Sequence, residues 1–169
     1  MSLRLVGLVL AAFLYSGPVH AQSAPAGLSE LDSVALIVGG FLDGEHRFGD
    51  VVSVMTRTGD GVFRVTSNPP ATDNEYRQIT VTKRGDCKYA LVSELKTASG
   101  ATYSRQLTIA DLDAITDLTY SEIRDLPHAY RIGGTNISLA NYVGDLLALA
   151  VLPAEEMEAF AADYLDTVC

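Results

Sequence analysis

The stretch YRQITVTKRGDCKYALVSELKTASGATYSRQLTI, residues 76–109, decides the fold. Ile79 and Val81 alternate with polar neighbours, the period of a strand with one buried face. Arg84-Gly85-Asp86 then makes a hairpin tip, and Cys87, Tyr89, Leu91 and Leu95 continue the period on the return strand. Ser99-Gly100 makes the next turn, ahead of Tyr103, Leu107 and Ile109. Strands joined by turns this short run antiparallel, because a parallel pair needs a crossover of about a dozen residues or more.

The same pattern extends toward the N-terminus. Val52 and Val54 alternate with polar residues, Gly59-Asp60-Gly61 turns the chain, and Phe63 and Val65 alternate on the way out. Asn68-Pro69-Pro70-Ala71-Thr72-Asp73-Asn74 is a loop by its prolines. The meander therefore has five strands with one apolar face, and that face needs something laid against it.

Helical spacing supplies the cover. Leu28, Leu31, Val34, Ala35 and Val38 recur at helix period, Ser29 is placed to cap the start, and Gly39-Gly40 is the stop. Asp43-Gly44-Glu45-His46 reads as a solvated turn after this helix. Beyond Asp111 the pattern blurs into a short helix with a strand or extended loop, ended by Pro127. Tyr130 and Ile132 mark a further strand, closed by Gly133-Gly134. Ser138 then caps a helix whose face carries Leu139, Tyr142, Val143, Leu146, Leu147 and Ala150. Pro153 opens another, with Glu155 and Glu156 suited to its first turn. Its stripe is Met157, Phe160, Ala161, Tyr164, Leu165 and Val168. The expected fold class is α+β, an antiparallel meander sheet of about five or six strands. It packs against an N-terminal helix and one or two C-terminal helices, in a single domain over residues 28–169.

The start of the chain has the parts of a secretory signal. Arg4 is the only charge in the first residues, Leu5–Leu14 is an apolar run, and Val19-His20-Ala21 is a small-x-small cleavage pattern. The run is shorter than the about 20 residues a spanning helix needs. Residues 1–21 are therefore expected to be removed, leaving a short disordered lead at 22–27 and no membrane anchor. The destination is periplasmic or extracellular. Losing Arg4 takes the formal charge from −9 to −10. That acidity disfavours nucleic acid and anionic headgroups as partners, since both need a basic surface. A basic protein or a small apolar ligand remains compatible with it.

Cys87 and Cys169 are the only cysteines. In an oxidising compartment two thiols with a single possible pairing read as a structural disulfide. It would tie a sheet residue to the last residue of the chain and close a loop of about 80 residues. Loop entropy sets that at about 4 kcal/mol.

Reaction centres are harder to find. His46 and His128, the two histidines left after cleavage, are far apart, and neither has metal-ligand spacing. Gly39-Gly40 and Gly133-Gly134 lack the frame of a phosphate loop, and no strained G-x-S-x-G elbow occurs. No metal and no cofactor are expected, and any catalytic residues are unknown. Asp111–Glu122 resembles a calcium-binding EF-hand loop at its first, third, seventh and twelfth positions, but Ile115 and Thr116 stand where a ligand and a glycine belong. Arg84-Gly85-Asp86 spells the integrin-ligand tripeptide, but nothing else in the chain supports adhesion, and a plain tight turn is the reading taken. Asn136-Ile137-Ser138 is a glycosylation acceptor sequence.

Ser99-Gly100-Ala101-Thr102-Tyr103 resembles the S-G-x-x-Y loop of small periplasmic lysozyme inhibitors. The resemblance implies a loop inserted into the lysozyme cleft, with Ser99 and Tyr103 making the contacts around Gly100. It spans five residues of 169, in a chain with no tryptophan.

The leading functional expectation is a non-enzymatic binding or interaction module of the cell envelope. Its sharper form is a carrier whose sheet and helices enclose an apolar pocket, with Tyr76, Tyr89, Tyr103 and Tyr130 as candidate lining. The alternatives are an inhibitor or immunity-type protein that binds a basic enzyme through residues 99–103, and an enzyme with a dispersed carboxylate/His site.

Overall fold

Ser29 fixes where the first helix begins. Its backbone is extended and its Oγ accepts from the Asp32 N–H at 3.2 Å, so helix α1 (Glu30–Gly39) starts with a satisfied cap. Gly40 ends it in the left-handed region at φ 69°, its N–H donating to the Leu36 carbonyl at 2.8 Å. Every residue from Asp32 to Gly39 is buried. A helix enclosed on all sides must be apolar nearly all round, and Val34-Ala-Leu-Ile-Val38 is.

The computed structural model describes residues 27–68, 75–115, 118–123, 126–133, 136–139 and 146–169. After α1 come β1 (Gly44–Phe48), β2 (Val51–Gly59), β3 (Val62–Asn68), β4 (Glu75–Gly85), β5 (Lys88–Thr97) and β6 (Thr102–Asp111). A 3-10 turn at Leu112–Ala114 leads to β7 (Thr119–Ile123), β8 (Leu126–Gly133), β9 (Asn136–Leu139), β10 (Leu146–Leu149) and helix α2 (Ala154–Val168). Among the described residues the larger sheet has the order β1-β2-β3-β4-β5-β6-β9 and the smaller one β10-β8-β7. All the pairings are antiparallel. The protein is thus α+β, as the alternation and helical spacing predict.

The inner face of the larger sheet follows from its register. Met55, Val65, Arg77, Leu95 and Ser104 lie in one cross-strand row, and Phe63, Ile79, Ser93 and Gln106 in the next. Side chains alternate between faces, so these rows share a face with Val81, Tyr89 and Leu91. Helix α1 lies between this face and the smaller sheet, touching β4 on one side and β10 on the other. Tyr120 of β7 reaches it with a hydrogen bond to the Ile37 carbonyl. Helix α2 packs on β7 and α1, burying Met157, Ala161 and Tyr164. One hydrophobic cluster joins α1, both sheets and α2.

One polar and one covalent device lock the elements together. The Asp32 carboxylate, 3% exposed, pairs with Arg57 Nε at 2.6 Å and accepts from the Gly61 N–H at 2.9 Å. A buried carboxylate requires such partners, and these two tie α1 to the β2–β3 hairpin. Cys87 and Cys169 form the disulfide, with Cα atoms 5.6 Å apart. Among the described residues no helix is long and apolar enough to cross a membrane.

Several expectations need correction. Cys87 is not within a strand: it sits in the β4–β5 turn at φ 51°. Leu107 and Ile109 pair with Val92 and Ala90, which puts them on the outer face and leaves Thr108 and Ala110 inside. Residues 43–46 are no solvated turn, since Gly44, Glu45 and His46 pair with Met55, Val54 and Ser53 as an edge strand. The helix expected from Ser138 to Ala150 does not form. Asn136–Leu139 pairs with β6 and Leu146–Leu149 pairs with β8, so Ser138 is a strand residue and no cap. A short apolar run suits strand or helix equally, and available strand edges decide it. The signal segment 1–21, residues 22–26 of the lead, the proline loop at 69–74, and Tyr142, Val143 and Gly144 lie outside the described residues.

Candidate ligand-binding cavity

Helix α1 is too short to cover the whole inner face. Where it stops at Gly39–Gly40, a half-open cavity of about 400 Å³ remains between the two sheets. The larger sheet contributes Ser53 of β2, Val65 and Ser67 of β3, Glu75, Tyr76 and Arg77 of β4, and Leu95 of β5. The smaller sheet contributes Ala129, Ala148 and Leu149, and the end of α1 contributes Gly39 and Phe41.

Local sequence explains the shape. Gly39 has no Cβ, and one there would collide with the Phe41 ring. Gly40 lies against the Leu149 backbone, an approach that only glycine allows. Alanines at 129 and 148 project little into the space between the sheets.

The lining is graded in polarity. Ala148 is fully buried and Val65 and Ser53 nearly so, whereas Arg77 is exposed, so the deep end is uncharged, with one serine hydroxyl, and the charge sits at the opening. Ser53 and Ser67 face each other across β2–β3 with hydroxyl oxygens 3.2 Å apart. At the opening, the Tyr103 phenol hydrogen-bonds to the Glu75 carboxylate, a contact that raises the phenol above its ordinary pKa. Arg77 makes no ion pair among the described residues and is the one cation in the lining. By contrast all three lysines are paired, Lys83 with Glu30, Lys88 with Asp111 and Lys96 with Glu94.

The structure separates the four candidate tyrosines. Only Tyr76 borders the cavity, and its ring is on the face of β4 opposite Arg77, 4.1 Å under the Arg64 guanidinium. Tyr89 is core: its hydroxyl donates to Glu30 at 2.6 Å and lies 3.0 Å from the Tyr164 hydroxyl, and burial pushes its pKa up. Tyr130 donates to the Leu152 carbonyl at 2.9 Å. Tyr103 is 51% exposed beside the β5–β6 turn. Buried phenols need partners for their hydroxyls, and these find them in the chain itself.

The other candidates are dispersed. Ser99 and Gly100 occupy the β5–β6 turn, with the Ser99 hydroxyl 2.9 Å from that of Thr97 and Gly100 at φ 87°. His46 Nε2 lies 2.7 Å from the Leu42 carbonyl, away from the cavity. The His128 side chain lies outside the described residues. Arg84-Gly85-Asp86 is exposed at the β4–β5 tip beside the disulfide. Asp111 closes β6 against Lys88 at 3.0 Å, and the segment after it runs turn then strand instead of into a helix–loop–helix. Among the described residues no group of three His, Cys, Asp or Glu side chains is placed to hold a metal ion.

Sequence reasoning missed Ser53, Ser67, Arg77 and Leu95 as a set. The signal was present in part: the turns at 59–61 and 84–87 fix the registers of two hairpins. The chain matches no protein-family model, no curated protein and no solved structure.

Proposed function

We propose that the protein is an exported, non-enzymatic binding module of the cell envelope that carries a small apolar ligand between its two sheets. The observation that carries this reading is the cavity itself. Its about 400 Å³ falls in the usual range for small-molecule sites, its lining is mostly apolar, its buried Ser53 hydroxyl is partnered by Ser67, and its charged groups, Glu75 and Arg77, lie at the less buried end. Export is supported by the Leu5–Leu14 run with its Ala21 cleavage pattern, and a disulfide fits an oxidising compartment.

Native mass spectrometry of the protein purified without denaturant from its own compartment tests this reading. A discrete retained mass, lost on replacing Leu95 with Trp, is the expected result. A ligand-free spectrum together with no uptake of any apolar probe would sink it. The same spectrum reports whether the chain begins at Gln22.

The exposure of Tyr103 favours a second reading, an inhibitor of a basic enzyme working through the β5–β6 turn. Ser99 and Tyr103 are both held by the chain's own groups, Thr97 and Glu75, so insertion would have to break those contacts. Pull-down with Tyr103→Ala and Ser99→Ala decides it: unchanged partners end the idea.

A further inference from the structure

We infer that the ligand of this cavity is an anionic amphiphile, a carboxylate on a compact apolar body, with Arg77 pairing the carboxylate at the opening. This rests on the binding-module reading above. The argument is one of complementarity. The apolar lining of Val65, Leu95, Phe41 and Ala148 offers nothing to a charge and suits a hydrocarbon body, and the Ser53 hydroxyl among them is already partnered by Ser67. Among the described residues the opening holds one cation, Arg77, and one carboxylate, Glu75. Glu75 is engaged by the Tyr103 phenol, while Arg77 has no ion pair among the described residues. Cross-strand register explains why an arginine is there at all. Arg77 sits between Val65 on β3 and Leu95 on β5, in a row whose neighbours are apolar and line the cavity. A charge in such a row is not needed for the sheet, and its planar fork matches a carboxylate in two-point geometry. The fit is selective in a chain of net charge −9, where bulk electrostatics alone would repel an acid.

The test compares decanoate with decan-1-ol, equal in chain length and different in head group. Binding is measured by calorimetry at pH 7.5 on the exported protein after any retained ligand has been stripped. Decanoate is expected to bind about tenfold more tightly than the alcohol, the worth of one charge-assisted contact at a partly exposed site. Arg77→Met keeps the aliphatic stem, and is expected to abolish that margin by weakening decanoate. High salt narrows the margin in the wild type by screening. Equal affinities, or a margin that survives Arg77→Met, would overturn the anionic ligand and leave the cavity reading standing. Failure of both probes to bind would overturn the cavity reading and this inference with it. Arg77 is exposed, so its replacement leaves the fold intact, which an unchanged melting temperature verifies.

Discussion

The hydroxyl of Tyr120, on β7, donates a 2.6 Å hydrogen bond to the carbonyl of Ile37 in the last turn of α1. The last carbonyls of a helix have no partner within it, and here water is excluded. Leu36 and Ala35 find theirs in the N–H groups of Gly40 and Phe41, so Tyr120 completes the end of the helix from a different layer. Tyr120→Phe keeps the ring and its edge-on contact with Tyr130, 6.0 Å between centroids, but strands the carbonyl. The expected loss is about 1–3 kcal/mol in urea denaturation. A change within the error of that measurement would mean the bond contributes nothing.

Gly40 and Gly100 make a matched pair. Both have positive φ, 69° and 87°, but a Cβ at Gly100 meets open space and one at Gly40 meets the Leu149 backbone. Gly100→Ala is therefore expected to cost about 1–2 kcal/mol, the backbone penalty alone. Gly40→Ala should cost distinctly more, because α1 and β10 must also move apart. Equal melting temperatures for the two variants would contradict the close approach.

The disulfide holds the end of α2 to the β4–β5 turn, and Cys87 is only 5% exposed. Replacing both cysteines with alanine is expected to lower stability by about 2–5 kcal/mol. Dithiothreitol should reproduce the effect in the wild type and do nothing further to the variant.

Glu30 has a carboxyl held below its ordinary value of 4.5, first by its hydrogen bond with Lys83 and then by that from Tyr89. A depressed folded-state pKa stabilises the fold above the unfolded value, and the contribution is lost as pH falls through the folded one. Glu30→Gln should thus be less stable than the wild type at neutral pH, with the gap closing below about pH 4.5. The carboxylate is 38% exposed, so salt should shrink the gap as well. A gap constant from pH 7 to pH 3 would remove Glu30 from the acid limb.

The hairpins were legible because Ile79, Val81, Tyr89 and Leu91 alternate cleanly around a glycine turn, and Ser29 and Gly40 bracket α1 with unambiguous caps. Gly44-Glu-His-Arg-Phe48 was not legible as a strand. As an edge strand it has all five residues exposed or half-buried, so no apolar alternation is imposed on it. Asn136–Leu139 and Leu146–Leu149 misread for a different reason: pairing partners far away in sequence, on β6 and β8, set their conformation. Local spacing carries no trace of such partners. The cavity belongs to the same class. Val65, Arg77 and Leu95 form one row only after two hairpins and the β3–β4 connection are placed, and Ala148 faces them from a second sheet.

Helix α1 has a consequence for the order in which the molecule can assemble. It emerges first among the described elements, yet β7, β10 and α2, which close its far side, emerge last. A nascent chain lacking them would leave the far side of α1 exposed, with nothing yet synthesised to receive it. Such sequence-distant enclosure slows folding and leaves the early chain prone to association. The protein should accordingly depend on a holding factor until its final residues are delivered, and fragments cut after β6 should aggregate instead of forming a stable half.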